Sequence, residues 1–254
     1  MSRYRKPLAL RPDPEAAVPG TAMVMAAGLG KRMRPLTATR PKPLVTVAGV
    51  TLIDHCLDHL KAAGVRKAVV NVHYLAAQLE AHLRNRAKGI EIAISDERKQ
   101  LLETGGGLVR ALPLIDADPF FVINADNYWV DGPVDTLRLL AAHWNEAEMD
   151  ALLLVVPHAR ANCHRGRGDF HMDARGVLRR RKPSGVAPFV YTGIQMVSKR
   201  LFEGELPEGP FSTNLLWSRA IEAGRCFGAV HQGLWFDIGQ PENIPVTEAL
   251  LNAA

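Results

Sequence analysis

The sequence predicts an α/β protein with a mostly parallel, Rossmann-like open sheet and helices on both faces. From residue 21 onward, short apolar or β-branched runs alternate with segments of helical periodicity, a pattern typical of a parallel sheet covered by helices. The chain has 254 residues, of which 47% are hydrophobic, so it can bury a full core. Because no repeat or linker marks a boundary, we expect a single domain over residues 21–254, preceded by a flexible, Pro-rich leader at residues 1–20.

The predicted elements follow one another as such a sheet requires. The first strand is predicted at residues 22–26, and the next helix has its apolar positions on one face and ends at Gly64, since glycine is common just after a helix. The further predicted strands are 67–72, 90–94, 120–123, 151–156 and 189–197, with a hairpin at 170–181 and two short strands that end at Asp237. The further predicted helices are 76–86, 137–144 and 215–223.

Composition excludes several classes of protein and indicates an anionic ligand. The net charge of +5 suits nucleotides, phosphorylated sugars or nucleic acid without choosing among them. Three widely spaced cysteines make neither a disulfide framework nor a CxxC metal site, and we interpret the adjacent Cys163 and His164 as structural or surface residues. No apolar run approaches the ~18 residues of a membrane span, and the leader lacks the apolar core of a signal peptide. We therefore expect a soluble, cytoplasmic protein with no membrane contact.

A glycine-rich loop with basic residues follows the first strand. Gly28 and Gly30 leave backbone N–H groups unobstructed, and Lys31 and Arg32 add positive charge, so the loop is built like a polyphosphate cradle. It lacks the third glycine of a dinucleotide fingerprint and the GK[ST] of a P-loop. Ten residues after Arg32, Lys42 stands between two prolines, which stiffen the backbone and lower the entropy cost of placing its ammonium on a phosphate.

Two strand ends offer carboxylates, and one glycine-rich segment offers backbone groups. Asp126 follows the strand at 120–123 and Asp237 ends the last strand, at the edge where open α/β sheets place their ligands. Because Mg²⁺ prefers one or two carboxylates plus phosphate oxygens, the two aspartates form a candidate magnesium site. The glycines at 105–107 precede a predicted helix, and we interpret them either as a loop whose backbone contacts a base edge or as a flexible lid.

Together these segments resemble one family. GLGKRMRPLT, PKPL, the glycine-rich segment, the strand-end aspartate and WFDIG occur in the order found in the nucleotidyltransferases that make nucleoside diphosphate sugars, over about residues 21–245. The resemblance implies the glycosyltransferase-A-like form of the open sheet, Mg²⁺ as cofactor, a nucleoside triphosphate and a sugar 1-phosphate as substrates, and no nucleic acid. It also implies roles for the matching residues, with Ala26, Gly28, Gly30, Lys31, Arg32, Lys42 and Gly106 at the nucleotide, Asp126, Gly168 and Gly193 at the sugar, Asp126 and Asp237 at the metal, and Arg32, Lys42, Asp126 and Asp237 in catalysis.

Two departures from the family pattern bear on the site. Ala125 stands where the family often has Gly between Asn and Asp, which alters the local turn and keeps the carboxylate ligand. Arg181 precedes Lys182 and Pro183 where many members carry a sugar-binding Glu, and from it we predict a sugar phosphate with an extra carboxylate. The alternative is that Arg181 faces solvent, because period-two alternation allows only one of Arg180 and Arg181 to face the pocket.

The segments LLETGGG and GRGDF narrow the substrates further. They are most similar to uridylyltransferases of cell-wall sugar recycling, which use UTP, and the alternative is a mannose- or heptose-1-phosphate guanylyltransferase, which uses GTP. The reaction needs no general base, because the attacking phosphate is already ionised near pH 7 and catalysis comes from alignment and charge neutralisation. Hypotheses from other classes are a non-catalytic nucleotide-sugar sensor and an RNA-binding domain, the latter disfavoured by the lack of an aromatic stacking motif. For the oligomeric state, a monomer and a small homo-oligomer both stay open.

Overall fold

In the computed structural model, which describes residues 15–86 and 88–253, strands and helices alternate as the sequence predicts. Residues 1–14 of the predicted leader lie outside the described residues. In chain order the strands are β1 (Thr21–Met25), β2 (Thr46–Val47), β3 (Val50–Thr51), β4 (Lys67–Val72), β5 (Glu91–Asp96), β6 (Phe120–Asn124), β7 (Asn127–Val130), β8 (Ala151–Pro157), β9 (Ala161–Asn162), β10 (Phe170–Met172), β11 (Leu178–Arg180), β12 (Phe189–Val197), β13 (Cys226–Val230) and β14 (Leu234–Asp237). The α-helices are α1 (Leu52–Ala63), α2 (Ala76–Arg86), α3 (Glu103–Ala111), α4 (Thr136–His143), α5 (Asn214–Glu222) and α6 (Asn243–Ala253).

The main sheet has nine strands in a mixed arrangement. Four of them run parallel to one another in the order β6-β1-β4-β5, and β12 joins β6 in the antiparallel sense. β12 also pairs with β10 of the predicted hairpin and with β8, which pairs in parallel with β13. This open α/β sheet confirms the predicted fold class.

Helices cover both faces of the sheet, because side chains along each strand alternate between two cores. Ala22 and Val24 of β1 pack in one hydrophobic cluster with α1, α2 and α4, whereas Met23 between them packs in another with α3 and α5. Capping residues at both ends set the boundaries of α1, which agree with the prediction. The Thr51 hydroxyl accepts a backbone N–H of the first turn, and Gly64 ends the helix in the left-handed conformation at φ 100°.

A small sheet of order β7-β14-β9 positions the functional residues. Only Ala125 and Asp126 separate β6 from β7, so the chain turns sharply where the main sheet ends. β14 pairs antiparallel with β7 and places Asp237 opposite Asn127, directly beside Asp126 in the sequence. β9 pairs in parallel with β14 and brings the segment that follows residue 162 to the same end.

The helix α3 differs from the prediction, since it begins at Glu103 and contains glycines 105–107 rather than following them. Glycine disfavours helix by about 1 kcal/mol relative to alanine, but here tertiary packing requires it. A Cβ on Gly106 would overlap the carbonyl oxygen of Gly209, and the neighbouring segment approaches the helix closely enough for the Gly105 N–H to donate to its backbone at 2.7 Å. The predicted placement of these glycines in a loop or flexible lid before the helix is therefore wrong, whereas the contact of Gly106 with the base remains a prediction.

The helix α6 has no counterpart in the sequence prediction. Pro245 stands in its first turn, where proline is tolerated, and two of its buried residues, Asn243 and Thr247, are polar. The apolar periodicity that identifies a helix is therefore weak in this segment. Over residues 15–86 and 88–253, no helix has the length and apolar character needed to cross a membrane.

Candidate active site

The first cavity, of about 220 Å³, opens where β1 and β6 end. Its position agrees with the rule that open α/β sheets bind ligands beyond the carboxyl ends of their strands. The lining residues are Met25, Ala26, Gly28, Gly30, Lys31, Arg32, Met33, Lys42, Pro43, Asp126 and Gly239. The structure thus brings together every predicted nucleotide-binding residue except Gly106.

The loop after β1 changes direction at Gly30. This glycine has φ 59°, and a Cβ there would lie 3.0 Å from Thr37 and 3.1 Å from the Cβ of Lys42, so both the conformation and the tight space disfavour an L side chain. The Thr37 hydroxyl donates to the carbonyl of Gly30 at 2.7 Å and closes the turn. Lys31 and Arg32 follow at once in a short 3₁₀ turn and are exposed to the cavity, which therefore presents two cations beside free backbone groups.

Lys42 lies between the loop and the end of β6. Its side chain is 11% exposed, and the following Pro43 is buried, so the lysine has little freedom to move at its base. Its Nζ donates to Oδ2 of Asp126 at 2.7 Å, a charge-assisted contact, while the Asp126 carboxylate is 40% exposed to the cavity. The ammonium and the carboxylate are thus held together at the centre of the site.

Asp237 approaches the same place from β14. A Cβ on Gly239, which lines the cavity, would lie 2.9 Å from Oδ1 of Asp237 and 3.5 Å from a guanidinium nitrogen of Arg32. Burial acts to raise the pKa of Asp237, but the contact with His164 and the charges of Lys42 and Arg32 outweigh burial and hold the pKa below its usual range. The carboxylate therefore stays ionised at neutral pH.

Asp126 and Asp237 fit the requirements of a magnesium ion. Both offer carboxylate oxygens, which Mg²⁺ prefers, and both are partly exposed, with Asp237 at 33%. Within residues 15–86 and 88–253, no group of three or more His, Cys, Asp or Glu side chains could hold a metal ion. Two carboxylates suffice for Mg²⁺ when substrate phosphates and water complete the octahedron.

His164 is a site residue that the sequence interpretation missed. The parallel pairing of β9 with β14 brings its Nδ1 to 3.4 Å from Oδ2 of Asp237. From the other side, the Asn243 amide of α6 donates to the Asp237 carbonyl at 2.7 Å. Because 73 residues separate His164 from Asp237, no local spacing in the sequence marks their contact. His164 and Asn243 together fix the position of Asp237.

The second cavity, of about 210 Å³, adjoins the first at Met25, which lines both. The Trp217 indole forms one wall, stacked edge-on against Tyr191 with 4.8 Å between ring centroids, and donates to Oε1 of Gln195 at 2.8 Å. The other lining residues are Thr104, Leu108, Val122, Asn124, Ser212, Thr213 and Asn214. Aromatic walls combined with a few convergent amides and hydroxyls suit a small polyhydroxylated ligand.

Gly193 borders the second cavity without lining it. It has φ 84°, and a Cβ there would lie 2.9 Å from the side-chain nitrogen of Asn124 and 2.5 Å from that of Asn127. Any larger residue would therefore displace the amide of Asn124, which does line the cavity. Gly193 was predicted to line the sugar pocket. In the structure it leaves room for the side chain of Asn124, which lines the second cavity.

Besides Gly193 and Asp237, which lie next to the cavities without lining them, three predicted site residues lie outside both cavities. Gly106 is buried in α3, and Gly168, with φ 75°, packs so closely on the carbonyl of Ala187 that a Cβ would overlap it. Arg181 donates through Nε to the Gly168 carbonyl at 2.9 Å, and its NH1 lies within 3.1 Å of three carbonyls of the loop at 182–185. The structure therefore does not bring Arg181 to the sugar, because its guanidinium organises its own loop.

Open α/β sheets that present a phosphate-binding loop at the carboxyl edge form a broad class of nucleotide-handling proteins, and this molecule is one of them. The family model for nucleotidyl transferases matches residues 21–251. The chain belongs to the nucleotidyl transferase family, which confirms the resemblance drawn from the motifs.

Individual relatives support this assignment. The chain is 46% identical over 239 residues to N-acetylmuramate alpha-1-phosphate uridylyltransferase from Caulobacter vibrioides, a match that covers 93% of this chain and 98% of that protein. It is 34% identical over 234 residues to the protein of the same name from Neisseria meningitidis serogroup B, covering 91% and 98%. The inositol-1-phosphate CTP transferase from T. maritima superposes with a TM-score of 0.75 at 19% identity, covering 93% of this chain and 96% of that chain. This last likeness shows a shared fold.

Proposed function

We propose that the chain transfers a uridylyl group from UTP to N-acetylmuramate 1-phosphate and forms UDP-N-acetylmuramate and pyrophosphate. The observation that carries the proposal is the pair of adjoining cavities, one with Lys31, Arg32 and Lys42 for a polyphosphate and one lined by neutral side chains for a sugar. The choice of base and sugar is supported by the two uridylyltransferase relatives, which match this chain over nearly all of their length.

The proposed step is an in-line displacement at phosphorus. An oxygen of the sugar phosphate attacks the α-phosphorus of UTP, a new P–O bond forms, the bond to the β-phosphate oxygen breaks, and pyrophosphate leaves with the electron pair. Lys31 and Arg32 balance the charge of the departing group, and Lys42 orients the reacting phosphates. Asp126 and Asp237 would hold Mg²⁺, which when bound neutralises charge on the phosphate oxygens. No side chain has to accept a proton.

The proposal includes a cytoplasmic location, dependence on Mg²⁺ and a role in recovering cell-wall sugars. Cys56 and Cys226 are buried free thiols, which suits a reducing compartment. Burial raises the pKa of Cys226 to about 12, so this thiol is inert. Light scattering on the purified protein would decide between a monomer and a small homo-oligomer.

A pyrophosphate-release assay tests the proposed reaction. The purified protein is incubated with each of the four ribonucleoside triphosphates and with N-acetylmuramate, N-acetylglucosamine, mannose or heptose 1-phosphate, in Mg²⁺ or in EDTA. UTP with N-acetylmuramate 1-phosphate is expected to give the highest kcat/KM, with no turnover in EDTA. A preference for GTP with mannose or heptose 1-phosphate would establish the guanylyltransferase alternative. Binding of UTP without pyrophosphate release from any pair would indicate the non-catalytic sensor.

A further inference from the structure

The second cavity contains no charged side chain, yet one cation stands at its rim. All of the residues that line this cavity are neutral at pH 7. Arg180, the last residue of β11, donates through NH1 to Oδ1 of Asn214 at 3.0 Å and through NH2 to the Asn214 carbonyl at 2.9 Å. Because Asn214 lines the cavity, the guanidinium is fixed at its edge.

Aromatic rings hold the guanidinium of Arg180 in this position. Its Cζ lies 5.9 Å from the ring centroid of Trp217, which lines the cavity, and 5.6 Å from that of Phe170. Arg180 is exposed at the surface, although the protein around it lowers its pKa below the ordinary value by partial desolvation, and an arginine remains charged at neutral pH all the same. A guanidinium placed in this way is pre-organised to bind an anion.

Arg180 has no carboxylate partner in the described part of the chain. Its hydrogen bonds there are the two to Asn214, which leave three of its five N–H donors for a ligand. Asp169 is close enough to affect its pKa, but the carboxylate of Asp169 accepts the backbone N–H of Tyr191 at 2.9 Å. A cation that hydrogen bonds and aromatic rings fix beside a neutral cavity, without an ion-pair partner in the described part of the chain, is the arrangement that an acidic ligand would complete.

We propose that Arg180 is the residue that selects a sugar phosphate carrying a carboxylate. The proposal rests on the proposed function, in which the sugar is N-acetylmuramate 1-phosphate and the carboxylate belongs to the lactyl ether on its 3-oxygen. Arg180 binds this carboxylate through a charge-assisted pair of hydrogen bonds, while Trp217 and Asn214 hold both partners at the rim. Neutral N-acetylglucosamine 1-phosphate leaves the guanidinium unpaired.

The neighbouring arginines provide matched controls. Arg179 is exposed, and it precedes Arg180 in β11, so its side chain projects to the opposite face of the strand. Arg181 is bound to backbone carbonyls of its own loop. Replacement of Arg179 removes the same charge from the same strand without touching the second cavity.

The test combines variants with substrates that differ in the group on the 3-oxygen of the sugar, of which the acid and its amide differ in charge alone. kcat/KM with UTP is measured for N-acetylmuramate 1-phosphate, for its lactamide, in which the carboxylate is a neutral amide, and for N-acetylglucosamine 1-phosphate. The enzymes are the wild type, Arg180→Gln, Arg180→Lys and Arg179→Gln. The wild type and Arg179→Gln are expected to prefer the acid over the amide by roughly 10- to 100-fold, the range of a charge-assisted hydrogen bond. Arg180→Gln is expected to lose this preference, and Arg180→Lys to recover part of it.

The outcomes separate this inference from the function on which it rests. If Arg180→Gln lowers kcat/KM equally for all three sugars, the arginine only supports the N-terminus of α5 and the inference is overturned. Persistence of the preference for the acid in Arg180→Gln also overturns it and leaves the uridylyltransferase function intact. If the wild type uses neither muramate derivative, the proposed function fails and the inference fails with it.

Discussion

Lowering the pH from 7.5 to 5.0 is expected to destabilise the folded protein, chiefly through His55. This histidine lies on α1 with its ring stacked on Tyr128, 4.0 Å between centroids, and its Nε2 accepts the backbone N–H of Trp129 at 3.3 Å. Burial, assisted by the nearby charge of His59, lowers the pKa of His55 from 6.5 to about 4. The folded state therefore keeps this ring neutral under conditions in which the unfolded chain protonates it.

The sign and size of the effect follow from proton linkage. Between pH 4 and pH 6.5 the unfolded state binds a proton that the folded state does not, so stability falls as the pH decreases through 6.5. With these two pKa values, the free energy of unfolding should fall by about 2 kcal/mol between pH 7.5 and pH 5.0. Burial also lowers the pKa of His231, which adds a contribution of the same sign.

Urea denaturation followed by tryptophan fluorescence at both pH values measures this loss. The variant His55→Asn keeps an acceptor for the Trp129 N–H and removes the titrating group, so it should lose about 2 kcal/mol less than the wild type on acidification. His171→Asn, at an exposed histidine on β10, should retain the full wild-type loss. An identical pH dependence in His55→Asn and the wild type would refute the assignment to His55.

Three further predictions concern the cavities and α3. Asp126→Asn and Asp237→Asn should each lower kcat in Mg²⁺ by more than ~100-fold while leaving the melting temperature nearly unchanged, because each removes a proposed metal ligand; near-normal kcat in either variant would contradict the metal assignment. Lys42→Met should lower kcat/KM by about 10- to 100-fold through loss of a charge-assisted contact with the phosphates, and an unaltered kcat/KM would show that the lysine serves only the fold. Gly106→Ala should cost at least about 1 to 3 kcal/mol in urea denaturation, since its Cβ would overlap a backbone carbonyl, whereas Gly28→Ala should be tolerated because no atom lies within 4 Å of the added carbon.

The order of elements and the phosphate loop could be predicted because they depend on local sequence. Period-two and helical patterns give β4, α2 and β12 with the observed boundaries. Gly30 and Lys42 stand out by residue type and spacing alone. Asp126 and Asp237 were recognisable as strand-end carboxylates, but the register that sets β14 against β7 decides whether they meet, and this register is a tertiary property.

The errors arose where a distant contact overrides a local preference. The glycines of α3 resemble a loop until the close approach of Gly209 is known. His164 has no local marker, because its partner Asp237 lies on another strand. For the arginines at 180 and 181, alternation predicts that the two side chains differ in direction, but only the packing of β11 on α5 shows that Arg180 lies beside the second cavity.

The contact between Lys42 and Asp126 makes the charge of the first cavity depend on what is bound. With the two side chains paired at 2.7 Å, their charges cancel, and Lys31 and Arg32 provide the attraction for a triphosphate. If Asp126 held Mg²⁺ as proposed, its carboxylate would pair with the ion, and the Lys42 ammonium would be free to pair with the phosphates, so the cavity would gain the charge of the ion and that of the lysine together. Metal and nucleotide should therefore enhance each other's affinity by the same factor, with Lys42 as the exchanging counter-ion that couples them.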